Sequence, residues 1–307
     1  MKSREEILIT VDELAKRIES ERDLPAGAPR TRVLDVRWAL TLPGARKAKK
    51  EPSEPVGLSE FKIGHIPTAV FVDLDRELAG HGSPEAGSHP MPSLKRLQTA
   101  AKGWGINEGD DVVVYDGRGN LSSARAWWLL HDAGLKQVYL LDGSLPAWHI
   151  AGYPIEVGEH AHTPGNIVLE SGHLPRLELS EIEQFLREDG VLLDARDAEN
   201  YRGDVEPIAP RKGHIPGARN TPATGNIDAD GFFLPKEMLQ AKFSESGADG
   251  STPVASYCGV GVTAAHNVVA LAIAGIDAAL YMGSWSQWSN HPELPTEIGP
   301  EATRPKV

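Results

Sequence analysis

The chain carries the same series of landmarks twice, in the same order, and a duplicated pattern of this kind restricts the fold to two related units. Leu34-Asp35-Val36-Arg37 is answered by Leu193-Asp194-Ala195-Arg196, and Gly64-His65-Ile66-Pro67 by Gly213-His214-Ile215-Pro216. Val112-Val113-Val114-Tyr115-Asp116 then matches Val254-Ala255-Ser256-Tyr257-Cys258. Leu141-Asp142-Gly143-Ser144 with Trp148 matches Tyr281-Met282-Gly283-Ser284 with Trp288. Short β-branched runs such as Val112–Tyr115 alternate with helical stretches such as Ala124–Ala133. Alternation of this sort predicts an α/β fold, each unit a mainly parallel sheet flanked by helices. The polar, Pro- and Gly-marked segment from Gly158 to Gly165 is expected to be the linker, so the units are taken as residues 1–157 and 166–307. The first copy has the longer loops. Its largest insertion, Pro43 to Lys62 with Lys47, Lys49 and Lys50, reads as an exposed excursion.

At 307 residues both units have room for a core of their own. The formal charge of −12 argues against nucleic acid or an anionic membrane as partner, though not against a small anionic substrate. The charged start of the sequence and the lack of a run near ~20 apolar residues give an expectation of cytoplasmic residence. There is one cysteine, Cys258. An intrachain disulfide and a Cys-x-x-Cys metal or redox pair are thereby excluded, so any thiol chemistry uses a single sulfur.

Cys258 follows an apolar strand-like run and opens the loop Gly259-Val260-Gly261-Val262-Thr263 ahead of an apolar helical stretch. In parallel sheets ligands bind beyond the carboxyl ends of the strands, where this cysteine falls. Glycines at 259 and 261 are expected to let successive backbone N–H groups turn inward, and the helix N-terminus adds further donors and a positive dipole end. Both effects favour a thiolate, so Cys258 is read as a nucleophile rather than a buried structural cysteine. The hydroxyl of Thr263 has two readings, a donor into the cradle or a cap on the helix. Position 116, the counterpart of Cys258, is Asp, and a carboxylate there has no thiol chemistry. One unit is therefore expected to be catalytic and the other silent, closing one wall of a cleft between them.

A doubled Asp-x-Arg, Gly-His-Ile-Pro and Gly-Ser-x-x-x-Trp pattern, with Cys-Gly-x-Gly-Val-Thr in the second copy only, resembles the two-domain rhodanese family of sulfurtransferases over nearly the whole chain. The resemblance implies two tandem rhodanese-like domains, silent then catalytic. It also implies a ping-pong reaction: Cys258 takes a sulfane sulfur from thiosulfate or 3-mercaptopyruvate and passes the persulfide sulfur to cyanide or a thiol acceptor. Residues 259 to 263 would hold the persulfide, and the reaction so implied requires no metal or organic cofactor.

Members that use thiosulfate tend to carry Arg and Lys just after the cysteine, whereas Gly259 and Val260 stand here; mercaptopyruvate-type members tend to have Ser at position 260. The glycine and the Gly-Val-Thr tail favour the mercaptopyruvate branch. Asp73 and His89 look like the carboxylate and histidine that partner that serine, or are structural. An arginine of the family's donor-binding segment is replaced by Asn200, leaving Arg202 and Arg211 as candidate donor ligands. The competing reading makes them surface cations paired with Asp204 and Glu206. Asp35, Arg37, Asp194, Arg196, His65 and His214 recur in the silent copy and are read as structural; Trp285 and Trp288 are read as core, the alternative being that they flank the pocket mouth. Cysteine phosphatases of similar fold need an arginine at position 264, where this chain has Ala264. A non-catalytic persulfide carrier or partner-binding module is the remaining alternative.

Overall fold

A computed structural model describes residues 3–25, 27–40, 54–159, 163–206 and 208–300. Within them two all-parallel sheets form. The first, in the order β1-β5-β4-β2-β3, comprises β1 (Leu8–Ile9), β2 (Thr31–Asp35), β3 (Val70–Phe71), β4 (Asp111–Tyr115) and β5 (Val138–Leu141). The second, in the order β7-β6-β8-β9, comprises β6 (Val191–Asp194), β7 (Arg219–Asn220), β8 (Val254–Tyr257) and β9 (Ala278–Leu280). β4 and β8 lie inside their sheets and are buried along their apolar runs, as parallel strands covered on both faces should be.

The repeated landmarks are the fastenings of each sheet. Asp35 pairs in register with Tyr115, and Asp194 with Tyr257. The phenol oxygen of Tyr115 accepts the Ile66 N–H at 3.1 Å, and that of Tyr257 accepts the Ile215 N–H at 3.2 Å. Arg37 and Arg196 form ion pairs with Asp35 and Asp194, and each donates to the glycine carbonyl of its Gly-His-Ile-Pro turn, Gly64 or Gly213, at 2.8 Å. His65 stacks on Phe61 and His214 on Tyr201, each with Nδ1 against that ring residue's carbonyl. The same contacts fasten both units, as the presence of these residues in both copies implied. Trp285 and Trp288 are buried, and Trp288 donates to Pro295 O as Trp148 does to Pro154 O.

The two sheets share an apolar core that runs through both. Helices Ser123–Asp132 and Ala264–Ala274 meet at its centre, with Trp128 and Leu129 in the first and Val269 and Leu271 in the second belonging to one cluster with Val112 of β4 and Leu193 of β6. Every residue of Ser123–Asp132 is buried. A helix buried on every side has to be covered all round, and here β4 and β5 of its own unit cover one side and helix Ala264–Ala274 of the second unit another. Residues between Gly165 and Leu174 run along the first unit, with the N–H of Gly165 on Lys102 O and that of Glu170 on Ala133 O. The first part of the Pro43–Lys62 insertion, residues 43–53 with Lys47, Lys49 and Lys50, and the middle of the linker segment lie outside the described residues.

Candidate active site

β8 delivers Cys258 to the carboxyl edge of its sheet, where the residue is 1 % exposed. Its N–H donates to Ser284 Oγ at 3.1 Å, and the same oxygen lies 3.8 Å from Sγ. Ser284 has a φ of 56°, a left-handed conformation that costs a non-glycine residue energy and persists where the surroundings enforce it. Ser144 repeats the arrangement with a φ of 58° and accepts the Asp116 N–H at 3.0 Å. Sequence reasoning used this Gly-Ser pair only as a landmark. Its recurrence beside both position 116 and position 258 was the signal that it belongs to the site.

The loop after Cys258 is held from behind through its carbonyls. Cys258 O accepts from Trp285 N at 2.9 Å, Gly259 O from Ser286 N at 2.8 Å, Val260 O faces His89 Nδ1 at 3.2 Å, and Gly261 O accepts from Arg125 Nη1. A planar trans peptide sends its N–H opposite to its C=O, so the four tethers turn the N–H groups of residues 259 to 262 the other way. Among the described residues, the backbone N–H groups of Gly259 to Thr263 have no hydrogen-bond acceptor. Only one loop glycine is conformationally required. Gly261 has a φ of +85° and a Cβ there would meet Met282 O at 2.3 Å, whereas at Gly259 it would make ordinary contact with Arg196 Cδ at 3.6 Å. The expectation that both glycines serve backbone geometry is corrected on this point. Thr263 sits at the cap position of Ala264–Ala274 without a side-chain cap bond, and it lines the cavity over Cys258.

In the first copy the corresponding loop closes around the carboxylate of Asp116. Oδ1 accepts the N–H groups of Arg118 at 2.7 Å and Asn120 at 2.9 Å; Oδ2 accepts those of Ser122 at 2.8 Å and Ser123 at 3.1 Å. Gly119, like Gly261, has a positive φ. The likeness then ends, since Asn120 remains left-handed at 69° and Val262 does not.

A cavity of about 390 Å³ opens over Cys258, lined by Arg196, Asn200, Lys212, Thr224 and Trp285 and by Ser88 and Leu121 of the first unit. The first unit thus supplies part of the wall, as expected. Arg196 lines it while remaining bound to Asp194, its guanidinium 4.9 Å from the Trp285 ring centre. The candidate substrate ligands are placed differently from the reading of the sequence. Arg211 borders the cavity, but its guanidinium donates to the carbonyls of Trp288, Ser289, His291 and Leu294, which binds it to the end of helix Ser284–Trp288. Arg202 is absent from the lining and pairs with Asp204 at 2.7 Å. Asp73 caps helix Leu74–Glu77 through Arg76 N, and burial raises its pKa. The carboxylate beside His89 is that of Asp75, 3.0 Å from Nε2, and Trp38 Nε1 donates to the same oxygen. His89 touches the back of the loop after Cys258, not the cavity.

Two stretches, residues 10–151 and 178–291, match the model of the rhodanese-like domain. The chain is 43% identical over 301 residues to SseB of Mycobacterium tuberculosis, provisionally named a thiosulfate sulfurtransferase, covering 97% of this chain and 99% of that one. It is 34% identical over 260 residues to the 3-mercaptopyruvate sulfurtransferase of Escherichia coli, covering 82% of this chain and 90% of the relative. The crystal structure of SseA from Escherichia coli, described as a 3-mercaptopyruvate sulfotransferase with the rhodanese fold, superposes with a TM-score of 0.76 at 28% identity, over 92% of this chain and 99% of SseA. With two family-matching stretches and sulfurtransferase relatives aligned over most of its length, this chain belongs to the rhodanese family.

Proposed function

We propose that the protein moves a sulfane sulfur from a small anionic donor to an acceptor through a persulfide on Cys258, held by the N–H groups of the Gly259–Thr263 loop. The carrying observation is the pair of cradles. The silent loop wraps a carboxylate with four backbone N–H donors, while the N–H groups of Gly259 to Thr263 lack an acceptor among the described residues. An aspartate oxygen stands as many bonds from Cα as does the outer sulfur of a cysteine persulfide. Asp116 therefore serves as an internal stand-in for the loaded cysteine, and it supports reading the Cys258 loop as an anion nest.

The Cys258 thiolate attacks the terminal sulfur of the donor, forming an S–S bond. With 3-mercaptopyruvate the C–S bond breaks and its electron pair leaves as the enolate of pyruvate, which takes up a proton; with thiosulfate the S–S bond breaks and sulfite departs. In the second half-reaction cyanide attacks the outer sulfur, thiocyanate leaves, and the thiolate is regenerated. A thiol acceptor carries the sulfur away as its own persulfide. Loop N–H groups stabilise the negative charge on the outer sulfur in between.

Of the two donors, 3-mercaptopyruvate is the better fit. Gly259 brings no charge beside the sulfur, and Arg211 is already engaged by four carbonyls. Steady-state thiocyanate production with each donor in parallel tests this: kcat/KM is expected to be about tenfold or more higher with 3-mercaptopyruvate. The C258S variant is expected to be inactive with both. A preference for thiosulfate overturns the donor assignment, and loading without multiple turnover makes the protein a persulfide carrier.

A further inference from the structure

The silent unit contributes a buried cation to the catalytic loop. Arg125 lies in helix Ser123–Asp132 of the first unit, fully buried. Its Nε and Nη2 donate to Leu78 O at 2.9 and 2.8 Å, and Nη2 also to His89 O and Pro90 O, both at 3.0 Å. Those acceptors all belong to the first unit. Nη1 crosses to the second, donating to Gly261 O and contacting Met282 Sδ. Among the described residues, the hydrogen-bond acceptors of this guanidinium are neutral carbonyls and a thioether, and none is a carboxylate. A buried charge ordinarily needs an opposite charge nearby. Burial draws its pKa down to about 10, while the charges of Cys258 and Asp75 act the other way. Counted from Asp116 and Cys258, the equivalent position in the second copy is the neutral Asn267, which bonds within its own unit to Thr221 and Asn226.

We infer that Arg125 is a positioning residue for the sulfur-transfer reaction: it fixes the Gly261–Val262 peptide with its N–H turned away from the tether, and it supplies from the silent unit the positive charge that balances an anionic sulfur at Cys258. This gives the silent unit a part in the reaction beyond forming a wall. It also offers a counter-charge to a chain whose loop carries no Arg or Lys between Cys258 and Thr263. The inference rests on Cys258 being the sulfur carrier.

The test uses the full-length chain with R125Q and R125K. Loading of Cys258 by 3-mercaptopyruvate is followed by mass spectrometry in a single turnover, and folding by circular dichroism. R125Q is expected to load about tenfold or more slowly, with R125K in between, because a lysine retains the charge but not the fork. Alkylation separates charge from scaffold: the iodoacetate-to-iodoacetamide rate ratio at Cys258 is expected to fall about threefold or more in R125Q and to stay near wild type in R125K. A purely structural arginine would lower the melting temperature and leave that ratio unchanged. The inference is overturned if folded R125Q loads within about twofold of wild type with an unchanged alkylation ratio. If R125Q does not fold, R125K decides: loading at the wild-type rate overturns it, and slower loading upholds it. Failure of wild type to load would instead sink the reading of Cys258, so the two failures are distinguishable.

Discussion

Gly259 and Gly261 look interchangeable in the sequence, yet they carry different burdens. Gly261 is left-handed with a carbonyl 2.3 Å from where a Cβ would stand, and Gly259 has ordinary room. G261A is expected to cost more than about 2 kcal/mol in urea denaturation and to cripple turnover, while G259A should shift stability by no more than about 1 kcal/mol. Equal effects of the two substitutions would refute this account of the loop. At this scale the sequence was informative where chemistry is local. The reading of Cys258, its loop and Asp116 needs only side-chain type and backbone freedom over a few residues, and the structure sets Cys258 at the end of β8 beneath a cavity. The charged ligands could not be read. Arg202, Arg211 and Asp73 were chosen by the family resemblance, but whether a guanidinium or carboxylate faces a cavity or a carbonyl is decided by partners far along the chain, such as Leu294 for Arg211. Arg125 and Asp75 were missed for the same reason: their roles depend on contacts 136 and 14 residues away.

The helices Ser123–Asp132 and Ala264–Ala274 each open at a cradle and then cross the interface between units. His266, on the first turn of the second, is fully buried with Nε2 against Gly119 O at 3.0 Å and Nδ1 near Asn226 Nδ2 at 3.2 Å. This pattern suits the neutral ring, with Nε2 donating and Nδ1 accepting. Desolvation by burial lowers its pKa from 6.5 to about 4. The unfolded chain therefore takes up this proton near pH 6.5 while the folded one resists, so the histidine's contribution is complete above that pH and is lost as pH falls toward 4. Measured against H266Q at each pH, wild type is expected to lose about 2 kcal/mol of unfolding free energy between about pH 8 and about pH 5. A difference that stays flat over that window would show the ring is not held neutral. The strand–helix order was legible from alternation, since β-branched runs and apolar helical stretches have distinct periods. That the two helices cover each other was not, because an apolar stretch does not say which unit packs against it.

As a whole, the molecule is a duplication that has become one body. Its halves share a core through helices Ser123–Asp132 and Ala264–Ala274, Arg125 ties one half to the Cys258 loop of the other, and Arg4 reaches from the start of the described chain to Phe233 O and Leu234 O. Each half also keeps an apolar cluster of its own, around Val113 and Trp148 in the first and Ala255 and Trp285 in the second, as its length allows, and the core shared between them is additional to these. Calorimetry should accordingly show one cooperative transition. W128A, at a side chain 1 % exposed in the shared core, should lower the stability of the entire chain by about 3–5 kcal/mol. Two resolved transitions, with only the first shifted, would contradict it. The duplication also makes the central claim sharp, because two loops of common origin differ in whether the first residue is a carboxylate or a thiol. Mass spectrometry of the intact chain and its peptides after brief treatment with 3-mercaptopyruvate, without acceptor, is the direct test. The account predicts a gain of one sulfur atom on the peptide bearing Cys258, removed by cyanide and absent in C258S. No gain on that peptide, or undiminished thiocyanate production by C258S, would contradict it.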